Sequence, residues 1–399
     1  MTSERTTVSA VAGDEAGHGS TQAPARPRIA IVGGGFMAEV HSRAARAARA
    51  ELVGVVSSSP EKSERVAETL GFQKGYASLE QLLADDTVDV VHVCTPNALH
   101  AEQAAAVLAA GKHVVCEKPL TTTVAAGEQL VASVGSLTAT VPFVYRFHPM
   151  VREARARFRS GEAGQVLSIN ASYLQDWLLG VDDDNWRVDS AQGGRSRAFA
   201  DIGSHLVDLV EFVSGDRVSR VAATKRTFFR ERASHTDITT EDAVAVVIET
   251  RSGALGTLLV SQVAPGRKNR LTLEIAGSAE SVAFDQEQPE TLWVGKRKGS
   301  MVIPRDADQL DADAARLCIV PSGHPQGYQD AFNAFVADTY AAVAGARPDG
   351  LPRFADGLRA VRVTDAVLDA AETGTWIDLP ALGEAHATDD LGSKEGTLP

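Results

Sequence analysis

Lys118, Asp201 and His205 are side chains whose types suit proton transfer beside a charged partner. An imidazole titrates near pH 6.5 when unperturbed, so it takes or gives a proton near neutrality. An ammonium stabilises charge developing on a substrate oxygen. A carboxylate accepts from a substrate hydroxyl and favours the protonated imidazole. Together such groups fit the oxidation of a secondary alcohol, in which a base takes the hydroxyl proton and a nicotinamide takes the hydride. If the segment from residue 201 is helical, Asp201, His205 and Asp208 share one face. Asp208 is then placed to orient the imidazole or the substrate, with a helix salt bridge as its competing role.

Such chemistry needs a cofactor site. The sequence Gly33-x-Gly35-x-x-Ala38 stands between a run of β-formers at 28–32 and a helical stretch at 37–50. Gly33 allows a tight turn, and Gly35 lets a pyrophosphate approach the backbone. Ala38 lets helix and strand pack closely, with the phosphates on the helix start at Phe36 and Met37. A structural turn without ligand is the competing reading. About 20 residues further on, NAD-preferring sites carry an acidic residue for the ribose hydroxyls. This chain has Ser57-Ser58-Ser59-Pro60-Glu61-Lys62 there. The hydroxyls of Ser57 and Ser58 and the Lys62 ammonium favour NADP, while Glu61 keeps NAD open.

The elements that must position these residues fall into two groups. Strands at 28–32, 52–57, 88–95, 113–116 and 138–144 alternate with helices at 37–50, 61–70, 79–83, 101–110 and 124–134. That alternation predicts a doubly wound parallel sheet of Rossmann type. After a helix at 149–160, strands at 166–175, 218–230, 243–250, 254–263, 271–276 and 281–284 follow with few helices between them. They predict an open, mainly antiparallel sheet, with helices at 201–214, 328–344 and 354–372. The fold class is α/β. The division reads as a disordered tail 1–27, a dinucleotide-binding domain 28–148, a second α/β domain 149–384 and a loose tail 385–399.

The net charge of −13 comes without any basic block, which argues against a nucleic-acid or membrane-surface partner. No apolar run is long enough to cross a bilayer, and the polar amino-terminal segment has no apolar core of a signal peptide. The three cysteines, Cys94, Cys116 and Cys318, form no CxxC pair, and their odd number suits a reducing cytoplasm. Asp182-Asp183-Asp184 lacks His or Glu partners at ligand spacing, so a solvated loop is expected and no metal. His92 and His113 are expected to be structural.

Three further motifs follow the glycine turn in order: Thr95-Pro96-Asn97 with His100, Glu117-Lys118-Pro119, and Asp201-Ile202-Gly203-Ser204-His205 with Asp208. In this combination the chain resembles the Gfo/Idh/MocA family, that of glucose–fructose oxidoreductase and inositol dehydrogenase, from residue 28 to about 380. The resemblance implies a Rossmann domain, then an α/β domain whose open sheet carries substrate residues on one face and assembles a homo-oligomer, dimer or tetramer, on the other. It implies catalytic roles for Lys118, Asp201 and His205, and a cofactor lined by Thr95, Pro96, Asn97, His100, Glu117 and Lys118. Ser57 and Lys62 look like the arrangement of NADP-binding members. Gln175-Asp176-Trp177-Leu178 and Gly323-His324-Pro325 look like sugar-oxidising, levoglucosan dehydrogenase-like members. The expected reaction is therefore NADP- or NAD-dependent oxidation of a sugar, glycoside or cyclic polyol at a ring carbon. Arg146 and His148 at the domain junction, Trp177 and His324 are expected to contact substrate, and Arg195 and Arg197 to face the site. Alternatives are a glycosidase working by transient oxidation, an inositol dehydrogenase and a non-catalytic dinucleotide sensor.

Overall fold

The computed structural model describes residues 26–380. Apart from residues 26 and 27, the tails expected at 1–27 and 385–399 lie outside the described residues.

Short runs rich in valine and isoleucine build the first sheet: β1 (Arg28–Val32), β2 (Glu51–Val56), β3 (Lys74–Gly75), β4 (Val90–Val93), β5 (His113–Cys116) and β6 (Ala139–Thr140). They pair in parallel in the order β3-β2-β1-β4-β5-β6. Four of the five residues of β1 and all of β4 are buried, as expected where helices cover both faces. The covering helices are α1 (Phe36–Ala47), α2 (Pro60–Leu70), α3 (Leu79–Leu83), α4 (His100–Ala109) and α5 (Val124–Ala132). The strand expected at 138–144 is short. Pro142 cannot donate to a ladder, and the chain turns into a 3-10 segment at Val144–Phe147.

After α6 (Pro149–Arg159) the chain builds β7 (Val166–Leu174), the short helix α7 (Ser190–Gly193) and α8 (Ser204–Ser214). Then come β8 (Val218–Arg226), β9 (Ala243–Thr250), β10 (Leu255–Ser261), β11 (Arg270–Gly277), β12 (Ser281–Asp285), β13 (Thr291–Lys296) and β14 (Gly299–Pro304). With β15 (Ile377–Asp378) they form a nine-stranded sheet, mainly antiparallel, in which β7 and β10 pair in parallel. One face packs on α8, where Leu206, Leu209 and Val210 meet Ile169, Ala171, Val246 and Leu258. The other face shows Leu167, Val247, Leu255 and Leu259 to solvent.

The late helices α9 (Ala312–Ala315), α10 (Tyr328–Val343) and α11 (Phe354–Thr373) tie the two sheets together. Phe332, Phe335 and Val336 of α10 share a core with Ile29, Ile31 and Val90 of the first sheet. On α11, Phe354 and Ala360 join the first sheet's other core, while Val363 and Val367 join the second sheet's. Residues far beyond 148 thus complete the core around the dinucleotide-type sheet. No helix among the described residues is long and apolar enough to cross a membrane.

Candidate active site

Parallel register lines up the ends of three adjacent strands. Val32 pairs with Val93, and Val93 with Cys116. Gly33, Thr95 and Glu117 therefore follow neighbouring strands at one carboxyl edge, where doubly wound sheets bind ligands. Gly33 has φ +117°, and a Cβ there would lie 2.5 Å from the Cys94 carbonyl oxygen. Gly35 differs: a Cβ would meet nothing within 4 Å. Gly35 is also the N-cap of α1 and offers no side-chain cap, so the first-turn N–H groups at Phe36 and Met37 have no capping acceptor. Phe36 is 70% exposed. An open cradle above uncapped N–H groups fits a pyrophosphate. Gly35→Ala should melt like the parent but bind reduced dinucleotide at least about tenfold more weakly, a loss of ~1.4 kcal/mol. Gly33→Ala should instead destabilise the fold by about 1–3 kcal/mol. Thermal melts and fluorescence titration check both, and unchanged binding by Gly35→Ala would contradict the cradle.

Around this edge, Ser57 borders Gly34, and Ser58 and Lys62 are exposed at the start of α2. Ser59 caps that helix by accepting from the Lys62 main-chain N–H at 3.3 Å. Thr95 donates to Gln103, and Asn97 donates to the Gly193 carbonyl at 3.0 Å, bridging to α7. Both ring nitrogens of His100 lie 2.8 Å from main-chain carbonyl oxygens, of Thr95 and Pro119. His100 thus ties two loops together and keeps no ring nitrogen for a ligand.

Lys118, Asp201 and His205 come together. Lys118 Nζ donates to Asp201 Oδ1 at 2.6 Å and to the Asp201 carbonyl at 3.0 Å. Gln262 Nε2 donates to Asp201 Oδ2 at 2.8 Å, and Arg187 Nε stands 3.7 Å from Oδ1. Asp201 is not in the α-helix expected from residue 201. It sits in a π-helical turn, Phe199–Gly203, that leads into α8. Such wide turns cluster at functional sites. Glu241 Oε1 fixes the approach, accepting from Ser196 Oγ and from the main-chain N–H groups of Arg197 and Phe199. Burial opposes the charge on Asp201, but Lys118 and Arg187 outweigh it and hold the carboxyl well below the usual range. His205 is buried against Phe143, Tyr145 and Tyr173, and its Nδ1 has no partner. Burial, reinforced by the Lys118 charge, pushes its pKa down to about 3. The ring is therefore neutral at pH 7, lower in pKa than the near-6.5 value expected from sequence.

The remaining expected substrate contacts engage other groups of the protein. Arg146 forks onto Asp208 and also donates to Asp356 at 3.0 Å and to the Gly350 carbonyl at 3.3 Å. These bonds lock the domain junction, so Asp208 orients Arg146 and not the imidazole. His148 stacks on Tyr145 with an interplanar angle of 9°, its Nε2 unpartnered. Trp177 donates to Gln175 Oε1 at 2.8 Å and packs beside Leu178, Val188 and Ile238. His324 is exposed, and its carbonyl accepts from Arg305. Arg195 reaches Asp365, Asp369 and Glu372 on the surface, and Arg197 pairs with buried Asp242, so neither faces the site. In the 182–184 run, Asp183 accepts from Gly180 and Asp184 from Ser234, beside the His235 ring.

Other residues join the site without a sequence signal that singles them out. Asn269 accepts from Tyr173 at 2.7 Å and from Gln175 at 2.8 Å, and donates to Tyr145 at 3.1 Å. With Tyr328 and Gln262 this makes a polar, aromatic wall beside His205. Tyr173 was accessible from its inward place in the alternation of β7, but Asn269 lies in a loop and Gln262 just past a strand end.

Burial alone pushes the His148 pKa down to about 4. Between about pH 4 and 6.5 the unfolded chain therefore binds a proton that the folded ring refuses. Stability rises with pH through that window, and below it the cost is on the order of 3 kcal/mol. His148→Phe should reduce proton uptake on unfolding by up to about one in that window. Denaturant unfolding at pH 4.5 and 7 reads the slope; an unchanged slope contradicts a neutral buried ring.

A family profile described as an oxidoreductase family with an NAD-binding Rossmann fold, Gfo/Idh/MocA, matches residues 27–143. The profile of the family's C-terminal domain matches residues 151–283. Levoglucosan dehydrogenase of Pseudarthrobacter phenanthrenivorans is 28% identical over 395 residues, covering 89% of this chain and 98% of that protein. The crystal structure of an oxidoreductase domain protein from Kribbella flavida is similar with a TM-score of 0.83 and 34% identity, covering 89% of this chain and 100% of that one. A levoglucosan dehydrogenase solved in complex with NADH and levoglucosan superposes with a TM-score of 0.83 at 28% identity, covering 89% and 100%. With both of its halves matched and the glycine turn, Lys118 and Asp201 in place, this chain belongs to the Gfo/Idh/MocA oxidoreductase family.

Proposed function

We propose that the chain oxidises a ring carbon of a sugar, glycoside or cyclic polyol, or reduces the matching ketone, with NADP or NAD. The observation that carries this reading is the half-buried Lys118–Asp201 ion pair beside neutral His205, at the strand edge that also ends in the glycine cradle. Gly33, Gly35, Phe36, Met37, Thr95, Pro96, Asn97 and Glu117 would hold the dinucleotide, with Ser57, Ser58 and Lys62 at the ribose. No acidic side chain stands at the tip of β2, which favours NADP over NAD. The bound nicotinamide supplies the hydride acceptor. His205 takes the substrate hydroxyl proton, and Asp201 offsets the imidazolium that results. Lys118 stabilises negative charge on the reacting oxygen. Tyr145, Tyr173, Gln175 and Asn269 present hydroxyl and amide groups of the kind that match a polyhydroxylated ring, with Trp177 at their edge.

The exposed row Leu167, Val247, Leu255 and Leu259 supports self-association through the open sheet. Three free cysteines support a reducing, cytoplasmic setting. A panel of pyranoses, glycosides and inositols, assayed with NADP and with NAD at the reduced-nicotinamide absorbance band, tests the reading. Net reduction with at least one member, faster with NADP, is expected. Glycosidic cleavage with no net reduction would replace it with the transient-oxidation chemistry.

A further inference from the structure

A buried chain of four side chains runs from α10 to the cofactor edge. The Tyr340 hydroxyl lies 2.9 Å from His92 Nε2 on β4. His92 Nδ1 lies 2.7 Å from His41 Nδ1 on α1. His41 Nε2 lies 3.0 Å from Glu117 Oε1, and Glu117 Oε2 accepts the Lys118 main-chain N–H at 3.1 Å. Both imidazoles are 0% exposed and Glu117 is 5% exposed. Nothing in the alcohol chemistry above uses Tyr340, His92 or His41.

With both rings neutral, valence sets the direction of this chain. A carboxylate only accepts, so His41 Nε2 carries a hydrogen. A neutral His41 then accepts at Nδ1, so His92 Nδ1 carries the next hydrogen. His92 accepts in turn at Nε2, and Tyr340 is the donor. Every bond is satisfied with both rings neutral and Glu117 charged. No step reaches solvent, because Tyr340 is 6% exposed, so the chain is a fixed run of dipoles and not a proton exit.

We propose that Tyr340, His92 and His41 are positioning residues for Glu117: a one-way donor chain that keeps its carboxyl ionised and turned so that its second oxygen holds the Lys118 backbone. Several groups act on this carboxylate. His41 comes from α1, His100 from α4 and Lys118 from the next position. Cys94 and Cys116 at the ends of β4 and β5, His205 on α8 and Tyr328 on α10 all feel its charge. Burial pushes the Glu117 pKa up, and the His41 bond with the Lys118 charge pulls it below the ordinary range. Burial also drives the His92 pKa well below its ordinary value, in keeping with a neutral ring. Without the His41 N–H, burial is opposed by less, and Glu117 takes up a proton nearer neutrality.

The kinetic part of this inference rests on the reading of Lys118 as catalytic; the spectroscopic part does not. Nitrogen-15 NMR of the full chain, labelled at histidine, is expected to show neutral rings at pH 7, the Nε2–H tautomer at His41 and the Nδ1–H tautomer at His92. An imidazolium or the reverse tautomer at either position overturns the chain, whatever the enzyme's activity. In the rate, His41→Leu should lower kcat roughly 10- to 100-fold at pH 7, as for other residues that orient a catalytic group. It should also add an acid limb, where Glu117 takes up a proton. His41→Gln, which returns an N–H donor, should remove that limb, and Glu117→Gln should be slow without one. A His41→Leu profile with the parent's shape overturns the positioning role. The tautomer measurement needs no substitution at Glu117 or His41, so it decides the matter if His41→Leu does not fold. Undiminished turnover in Lys118→Met, with the tautomers as stated, would fault the catalytic reading and leave the chain intact.

Discussion

Lys118→Met is expected to lower kcat by roughly 10²–10⁴-fold, while the affinity for reduced dinucleotide changes little. Methionine keeps the length of the stem and removes only the cation. That cation touches Asp201 through both a carboxylate oxygen and the main-chain carbonyl, in a place where the two side chains are 14% and 15% exposed. In so dry a setting its field on a nascent oxyanion is screened little. Lys118→Arg should not rescue, because a planar fork cannot replace a compact ammonium between those two oxygens. A second consequence follows from the electrostatics. The Lys118 charge helps to depress the His205 pKa, so removing it should bring the imidazole back towards its ordinary value. Rapid-mixing absorbance, fluorescence titration and histidine NMR read the three effects. Turnover within about threefold of the parent, less than 1 kcal/mol in the barrier, would remove Lys118 from the mechanism.

His205→Gln carries the second large effect, again roughly 10²–10⁴-fold in kcat, the usual reach of a general base. The pH profile is the sharper reading. A base must be unprotonated to act, and kcat/KM reports the free enzyme. With His205 near 3, the oxidation rate should show no inflection from this group between pH 5 and 7. An inflection near 6.5 that vanishes in His205→Gln would contradict the buried, neutral ring. Asp201→Asn should cost a similar factor, because the carboxylate partners Lys118 and offsets the imidazolium. The double variant His205→Gln with Asp201→Asn should be much less than the product of the two, since both act on one proton transfer.

Much of the scaffold was legible because it is written locally. The limits of β1, β5 and β9 follow from runs rich in isoleucine or valine, and they fall where the pattern puts them. The alternation of strand and helix led to the parallel sheet, and the glycine turn sits at its edge. What escaped the sequence is non-local or lacks contrast. β14 shows almost no burial alternation, so nothing in its composition marks a strand. A π turn differs from an α turn by one residue of phase, so the helix expected from 201 reads the same until its carbonyl is found on Lys118. The helices α10 and α11 are plain in sequence, but their docking onto the first sheet depends on partners some 300 residues away, such as Ile31 beside Phe335.

The site divides in the same way. Lys118, Asp201 and His205 were found by type and motif, and they converge. Arg146 and His148 stand out by their place at the junction and Asp208 by its spacing to His205; in the fold Arg146 and Asp208 pair with each other and His148 packs on Tyr145. Asn269 and Gln262 carry no periodic or motif signal, and only the approach of three strands brings them to the catalytic side chains.

The most direct test of the account is isotopic. A sugar or cyclic polyol that the panel shows to be turned over is prepared with deuterium on the ring carbon that bears the oxidised hydroxyl. A single turnover is run with oxidised dinucleotide, and the dinucleotide is recovered for mass analysis. Transfer of the deuterium to the reduced dinucleotide, with a slowed chemical step, is the predicted result. Deuterium kept on the carbon or lost to water would contradict direct hydride transfer between that ring carbon and the cofactor.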